Sequence, residues 1–171
     1  MLVQKSFKLG YAASMPADLL EEILWLIKSN ISVDAGISGV LFKSKFILTE
    51  LLTNAIKHAN TDEVILNLEI TDSLVRFIKT DHGTPMNFPG LENKSFEGGI
   101  IITADIMHTL YAVEQNGRLC FYCHENSAPT ININDFPEHF GLLIITKAAD
   151  EFCYQYNKQN HANTFTASIN I

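Results

Sequence analysis

The sequence feature that most constrains the fold is the stretch FILTELLTNAIKHAN, from Phe46 to Asn60. Its apolar residues recur every three or four positions, which predicts a long amphipathic helix with one buried face. The same spacing places Glu50, Asn54 and His58 in a polar row beside that face. A surface helix can carry such a row without any function, so the row becomes informative only together with a second motif.

The second motif is the segment DHGTP, from Asp81 to Pro85. Apolar residues alternate before it, at Val75 and Phe77, and this alternation predicts a strand that ends at Asp81. A carboxylate at a strand end, followed by Gly83, offers a hydrogen-bond acceptor beside backbone that a flat ligand can approach closely. An ordinary turn is the alternative interpretation of this segment.

Together, the two motifs resemble the ATP-binding fold of the superfamily that includes DNA gyrase, histidine kinases and the anti-sigma-factor serine kinases. The positions similar to that family's N box, E-x-x-x-N-A-x-x-H, are Glu50, Asn54, Ala55 and His58. The positions similar to its G1 box, D-x-G-x-P, are Asp81, Gly83 and Pro85. The resemblance implies an α+β two-layer sandwich of Bergerat type, with helices on one face of a mixed, mostly antiparallel sheet. Two amphipathic helices and at least five alternating strands predict the same layers.

The family's third motif, the G2 box, is a glycine-rich helix start beside the triphosphate, and two segments resemble it. The first candidate is Gly141 with Leu142, although His139 stands where the family has glycine. The second is Gly98-Gly99, which precedes a predicted short apolar helix that reaches Met107. We favour Gly141. Residues 1–171 then form one histidine kinase-like ATPase domain with an insertion at about 96–135, and the loop predicted over residues 84–97 takes the place of the family's lid.

The resemblance also implies a role for each matching residue. Asn54 would help to hold Mg²⁺, because its side-chain oxygen suits a hard cation. Asp81 would accept a hydrogen bond from the adenine amino group of ATP, with Gly83 beside the base. Glu50 would act as the general base, and Gly141 with Leu142 would face the phosphates. Lys57 and His58 would reach either the phosphates or the surface, and we favour the surface.

Among the branches of the superfamily, the chain most resembles the stand-alone anti-sigma-factor serine/threonine kinases. Because one domain accounts for the 171 residues, we expect neither a transducer domain nor a hairpin with a phosphoacceptor histidine. The resemblance implies transfer of the γ-phosphate of ATP to a partner regulatory protein, and binding of a sigma factor or its antagonist by a homodimer. The alternative is a non-catalytic nucleotide-binding regulatory module, which the degraded G2 box favours.

Composition limits the partners and the compartment. The net charge of -7 argues against binding to a nucleic-acid backbone, which requires a clustered excess of Lys and Arg. No apolar run has the length of a signal peptide core or a membrane span, so we expect a cytoplasmic protein. Three cysteines, an odd number, favour reduced thiols. The C-x-x-C-H match from Cys120 to His124 lies in a predicted strand, and we interpret it as packed cysteines rather than a haem or zinc site.

The remaining patterns predict the order of the elements. The predicted elements are a strand at 5–11, helices at 16–30 and 38–59, and strands at 63–70 and up to Asp81. A hairpin is predicted around Asn116-Gly117, because this dipeptide favours a two-residue turn. A last helix is predicted from Gly141 to about Phe152, followed by two strands that end the chain.

Overall fold

The structure is a computed structural model of the 171-residue chain. It describes residues 2–10, 17–31, 36–58, 63–86, 95–96, 99–104, 107–126 and 140–171. In these ranges the chain has an α+β fold, with three helices and nine strands. No helix within them combines the length and the apolarity that a membrane crossing requires.

The helices and strands follow one another in an order that begins with a strand and a pair of helices. The helices are α1 (Ala17–Asn30), α2 (Ile37–His58) and α3 (Phe140–Ala148). The strands before α3 are β1 (Val3–Gly10), β2 (Glu63–Ile70), β3 (Leu74–Asp81), β4 (Ser95–Phe96), β5 (Gly99–Ala104), β6 (His108–Gln115) and β7 (Arg118–Glu125). The last two strands, β8 (Glu151–Asn157) and β9 (Ala162–Asn170), follow α3.

All nine strands belong to one sheet with the order β1-β2-β3-β9-β8-β7-β6-β5-β4. Every strand pairing in the described ranges is antiparallel, so the prediction of a mixed sheet is wrong for this part of the chain. The first strand, β1, lies at one edge of the sheet. The pairing of β7 with β8 is short, with only two positions in register, whereas β6 and β7 pair along eight.

Helices and strands share one hydrophobic core. The apolar face predicted for the central helix is buried, since Ile47, Leu48 and Leu52 have no exposed surface. Alternate residues of β2 and β3, such as Leu66 and Phe77, belong to the same buried cluster. The 3.6-residue period of α2 and the two-residue period of the strands therefore bury one continuous apolar surface.

Two of the sequence-based element predictions are wrong. The run after Gly99 is strand β5 rather than a helix, because the β-branched residues Ile100–Thr103 pack against β6. The last helix ends at Ala148, and Phe152 is already part of β8. Short apolar runs are compatible with either a buried helix or a buried strand, so periodicity alone does not separate the two.

The hairpin predicted around Asn116-Gly117 is confirmed. It connects β6 to β7, and both turn residues have positive φ values, 54° for Asn116 and 75° for Gly117. Both values fit the two-residue turn whose twist matches that of the flanking strands. The hairpin lies in the region that the sequence assigned to an insertion, and it extends the sheet beyond β8.

The expectation of reduced thiols is wrong for two of the three cysteines. Cys120 of β7 and Cys153 of β8 form a disulfide, and the third cysteine, Cys123, does not take part in it. The two partners are 33 residues apart in sequence, and they meet because they occupy one of the two paired positions between β7 and β8. The disulfide is therefore a covalent link where the hydrogen-bonded ladder of the sheet is short.

We predict that reduction of the Cys120–Cys153 disulfide lowers the free energy of unfolding. A cross-link that closes a loop of this length contributes about 3–4 kcal/mol by restricting the unfolded chain. Urea unfolding with and without a phosphine reductant measures the difference. A Cys123→Ser variant should show the same difference, whereas equal unfolding midpoints with and without reductant would contradict the prediction.

Candidate functional site

The start of α3 packs directly against the polar row of α2. A methyl group added at Gly141 would lie 2.7 Å from Oε2 of Glu50 and 3.1 Å from Nδ2 of Asn54. Only a residue without a side chain allows the backbone to come this close. The structure therefore brings together three of the residues that the sequence selected, Glu50, Asn54 and Gly141.

Glu50 and Asn54 are half-buried, and neither has a hydrogen bond or an ion pair within the described ranges. Both side chains keep some exposed surface, so their polar atoms remain accessible to water or to a ligand. Glu50 and Asn54 lie one turn apart on α2, and both side chains face the N-terminal turn of α3. This group of Glu50, Asn54 and Gly141, which we call the α2–α3 cluster, offers hard oxygen ligands beside backbone N–H groups.

The remaining residues of the N box and G2 box contribute less. Leu142 is 2% exposed and belongs to the hydrophobic core, so only its backbone is available to a ligand. Lys57 is exposed, as the sequence predicted. His58 is the last residue of α2, and its side chain lies outside the described residues, as do His139 and Gly98. Gly99 packs against the backbone of β6 and does not begin a helix.

Asp81 lies at the end of β3, where its carboxylate is buried and already bonded. Oδ2 forms an ion pair with Lys79 at 2.6 Å, and both residues are nearly inaccessible, with 4% of Lys79 and 3% of Asp81 exposed. Oδ1 accepts the backbone N–H of Gly83 and the side-chain amide of Asn163, each at 3.0 Å. Asp81 and Gly83 are therefore in contact, as expected of a strand end that turns at a glycine.

Asn163 reaches Asp81 because the two residues face each other across β3 and β9. Its Nδ2 also donates to the carbonyl oxygen of Gly83 at 3.0 Å, and its Oδ1 accepts the hydroxyl of Tyr154 at 2.7 Å. The backbone N–H of Met86 donates to that hydroxyl at 3.0 Å. Burial raises the pKa of Tyr154, which keeps its hydroxyl protonated and able to donate.

The sequence analysis missed Lys79, Asn163 and Tyr154. A signal for Lys79 was present, since it shares the parity of Val75, Phe77 and Asp81 along a strand. The alternation of buried and exposed positions along this strand therefore indicated a lysine on the buried face. No comparable signal existed for the other two residues, because their contacts depend on the order of the strands in the sheet.

The α2–α3 cluster and the residues around Asp81 form two separate groups. Among the described residues, no hydrogen bond or ion pair links Asp81 or Gly83 to Glu50, Asn54 or Gly141. The helix that carries the first group and the strand that carries the second do touch through the core. A ligand that used both groups would have to extend from the end of β3 to the start of α3.

A cavity of about 280 Å³ lies elsewhere, between β7 and the C-terminal end of α3. Its lining includes Cys120, Glu125 and Lys147, and none of the residues that the family resemblance assigned to ATP or Mg²⁺ binding. Lys147 donates a hydrogen bond to Glu125 at 3.1 Å, and this bond holds the pKa of that exposed carboxyl below its usual value. We assign no function to this cavity.

Comparison with models of known protein families finds no match, and comparison with characterised proteins finds none either.

We predict that Gly141→Ala disturbs the α2–α3 cluster and leaves the fold almost unchanged. The added methyl group meets the flexible end of Glu50 rather than backbone, and alanine favours a helix by about 1 kcal/mol over glycine. The free energy of unfolding, measured with urea, should therefore change by no more than about 1 kcal/mol. Gly39→Ala, in a helix position with open space around it, is the matched control. A large loss of stability in Gly141→Ala but not in Gly39→Ala would show that the side chain of Glu50 cannot move away from the added methyl group.

We predict that Asp81→Asn destabilises the fold by about 3 kcal/mol, because it leaves the buried ammonium of Lys79 without a counter-ion. The double variant Lys79→Met/Asp81→Asn should recover much of that loss, and a double-mutant cycle of urea unfolding measures the coupling. Glu69→Gln is the control, because it removes a more exposed ion pair, which links Glu69 of β2 to Arg76 of β3. If Asp81→Asn costs no more than the control, the buried pair does not stabilise the fold.

Proposed function

We propose that the chain is an ATP-binding domain that transfers the γ-phosphate of ATP to a serine or threonine of a partner regulatory protein. The observation that carries the proposal is the approach of Gly141 to Glu50 and Asn54. It puts a carboxylate, an amide oxygen and the N-terminus of a helix in one place. Helix N-termini favour phosphate groups, and amide and carboxylate oxygens favour Mg²⁺.

The finer architecture that we propose is a two-layer Bergerat-type sandwich with all three helices on one face of the sheet. In support, buried residues of all three helices belong to one cluster with alternate residues of β2 and β3. The residues between these on the same strands, such as Asn67 and Arg76, remain partly exposed. We further propose that 1–171 is one domain, in which β4 to β7 represent the insertion.

The residues of the α2–α3 cluster fit Mg²⁺ by their chemistry. Asn54 provides a side-chain oxygen as a ligand, and the carboxylate of Glu50 lies one turn away and stays available as a base; neither side chain is used by another residue of the described ranges. When bound, Mg²⁺ neutralises negative charge on the transferred phosphoryl group. In this proposal Asn54 helps to hold the cation, and the backbone of Gly141 and Leu142 faces the phosphates.

Glu50 is the proposed general base. Its carboxylate accepts the proton of the attacking serine or threonine hydroxyl, whose oxygen forms a bond to the γ-phosphorus as the β–γ bridging bond breaks. ADP leaves with the electron pair of that bond. Asp81 is the proposed acceptor for the adenine amino group. A carboxylate has about four acceptor directions, of which Gly83, Asn163 and Lys79 use three.

A second candidate function is a non-catalytic regulatory module. The observation that favours it is the ion pair between Asp81 and Lys79, because a carboxylate that already has a cation at 2.6 Å attracts a ligand amino group less strongly. In this alternative the pair is structural, and the chain binds nucleotide weakly without transferring a phosphoryl group.

The proposed partner is a protein, either a sigma factor or an antagonist of the anti-anti-sigma kind, bound by a homodimer. Large apolar side chains that stay exposed on the first two helices support a protein partner. They are Trp25, at 64% exposed, and the edge-to-face pair of Phe42 and Phe46. The proposed compartment is the cytoplasm, although the disulfide removes the thiol part of the argument for it.

We predict that Glu50→Gln lowers phosphoryl transfer by about 10²–10⁴-fold, the usual contribution of a positioned base. The affinity for ATP·Mg²⁺ should stay nearly unchanged, because shape and the neighbouring Asn54 remain. Transfer of labelled γ-phosphate to co-purified protein or to water measures the first quantity, and calorimetry measures the second. Undiminished activity in Glu50→Gln would rule out Glu50 as the base.

Two variants control this experiment. Glu21→Gln removes an exposed carboxylate from α1 and should change neither quantity. Asn54→Ala should weaken the Mg²⁺-dependent part of ATP binding. Binding of ATP without any transfer by the unmodified chain would favour the regulatory module, and no binding at all would reject both functions.

A further inference from the structure

Lys79 is a buried cation with hydrogen-bonding capacity to spare. It follows Val75 and Phe77 on the buried face of β3, and 4% of it is exposed. Its Nζ contacts Oδ2 of Asp81 at 2.6 Å and lies 4.7 Å from the centre of the Phe165 ring. The contact with Asp81 follows from the two-residue period of β3, and the contact with Phe165 follows from the sheet register, since Phe165 faces Lys79 across β3 and β9.

An ammonium group carries three N–H donors, and one of those of Lys79 points to Asp81. In the described part of the chain, no other oxygen or nitrogen accepts from it. The ring of Phe165 attracts the positive charge but is a weak partner compared with a carbonyl or ring nitrogen. Because unpaired donors of a buried charge are costly, this site favours a ligand with an acceptor atom.

Asp81 is held in one orientation beside that donor. Gly83 and Asn163 both donate to Oδ1, and Tyr154 fixes the amide of Asn163 in turn. The remaining acceptor direction of the carboxylate is therefore on Oδ2, next to Nζ of Lys79. Together, the two side chains present an acceptor and a donor side by side.

We propose that Lys79 is a specificity-determining residue that donates a hydrogen bond to a ring nitrogen of adenine. The inference rests on the proposed function, in which Asp81 accepts from the adenine amino group. Nζ lies 2.6 Å from the oxygen that would take this amino group, so the acceptor that it reaches must be a neighbour of the amino group. In adenine these neighbours are N1 and N7, and both are acceptors.

The proposal assigns Lys79 a role that a purely structural ion pair lacks. A structural lysine would neutralise Asp81 regardless of which ring atoms the ligand carries. A lysine that donates a hydrogen bond to a ring nitrogen distinguishes adenine from an analogue in which that nitrogen is replaced by C–H. The loss of one hydrogen bond to a charged group corresponds to about tenfold to a hundredfold in affinity.

The test compares calorimetric affinities of the unmodified chain for ADP, 1-deaza-ADP and 7-deaza-ADP in the presence of Mg²⁺. We expect one of the two analogues to bind about tenfold to a hundredfold more weakly than ADP. In Lys79→Met, ADP and that analogue should bind equally. Arg76→Met, which changes the opposite face of β3, is the control and should retain the discrimination.

The outcomes separate this inference from the proposed function. Binding of ADP with equal affinity for both analogues would overturn the role of Lys79 and leave nucleotide binding intact. The same discrimination in Lys79→Met as in the unmodified chain would also overturn it. No binding of ADP would reject the proposed function and this inference together. Should Lys79→Met fail to fold, equal affinities of the unmodified chain for ADP and both analogues would still overturn the role of Lys79. Lys79→Arg, which keeps the charge but moves the donors, should then reduce the discrimination, and unchanged discrimination would overturn the role as well.

Discussion

The close approach of α3 to α2 at Gly141 is the contact on which the α2–α3 cluster depends. A side chain at this position would occupy the space now taken by the carboxylate of Glu50 and the amide of Asn54. The opposite side of α2 meanwhile lies in the core, with Leu48 and Leu52 completely buried. The apolar face of α2 thus packs in the core, and the polar row of α2 faces the start of α3. The geometry of the row is therefore set by core packing rather than by hydrogen bonds of its own.

A different kind of constraint holds the end of β3. There the strand continues its two-residue alternation, but the last two buried positions are Lys79 and Asp81 instead of apolar residues. Their burial is tolerable because the carboxylate has three donors and the cation has both a counter-ion and an aromatic ring. β3 supplies the charged pair, and the neighbouring strand β9 supplies Asn163. The next strand, β8, supplies Tyr154, whose hydroxyl donates to Asn163, so side chains from three adjacent strands determine how one carboxylate is oriented.

Long helices, long strands and tight turns could be predicted from the sequence, because spacing and turn residues determine them locally. The bounds of β2, those of α2 to within one residue, and the turn at Asn116-Gly117 follow from spacing and turn chemistry, and the structure confirms them. The contact of Gly141 with Glu50 was suggested only by resemblance, since the residues are far apart in the chain. The Cys120–Cys153 disulfide and the link from Asn163 to Asp81 could not be predicted, because they require knowledge of which strands are neighbours. The run after Gly99 was misassigned because a short buried strand and a short buried helix share the same apolar pattern.

The presence of Lys79 needs an explanation that stability alone does not give. A buried ion pair is often no more stabilising than a pair of well-packed apolar residues, because both charges lose their hydration. The alternation of β3 would accept such an apolar residue at position 79, as it does at Val75 and Phe77. Lys79 instead introduces a fixed donor beside a fixed acceptor, at the strand end where the chain turns through Gly83. A donor and an acceptor at this spacing can recognise the edge of a flat heterocycle, which an apolar pair cannot do. The Lys79–Asp81 ion pair favours the regulatory module because it occupies the carboxylate of Asp81. The same ion pair would give a nucleotide site its selectivity for adenine.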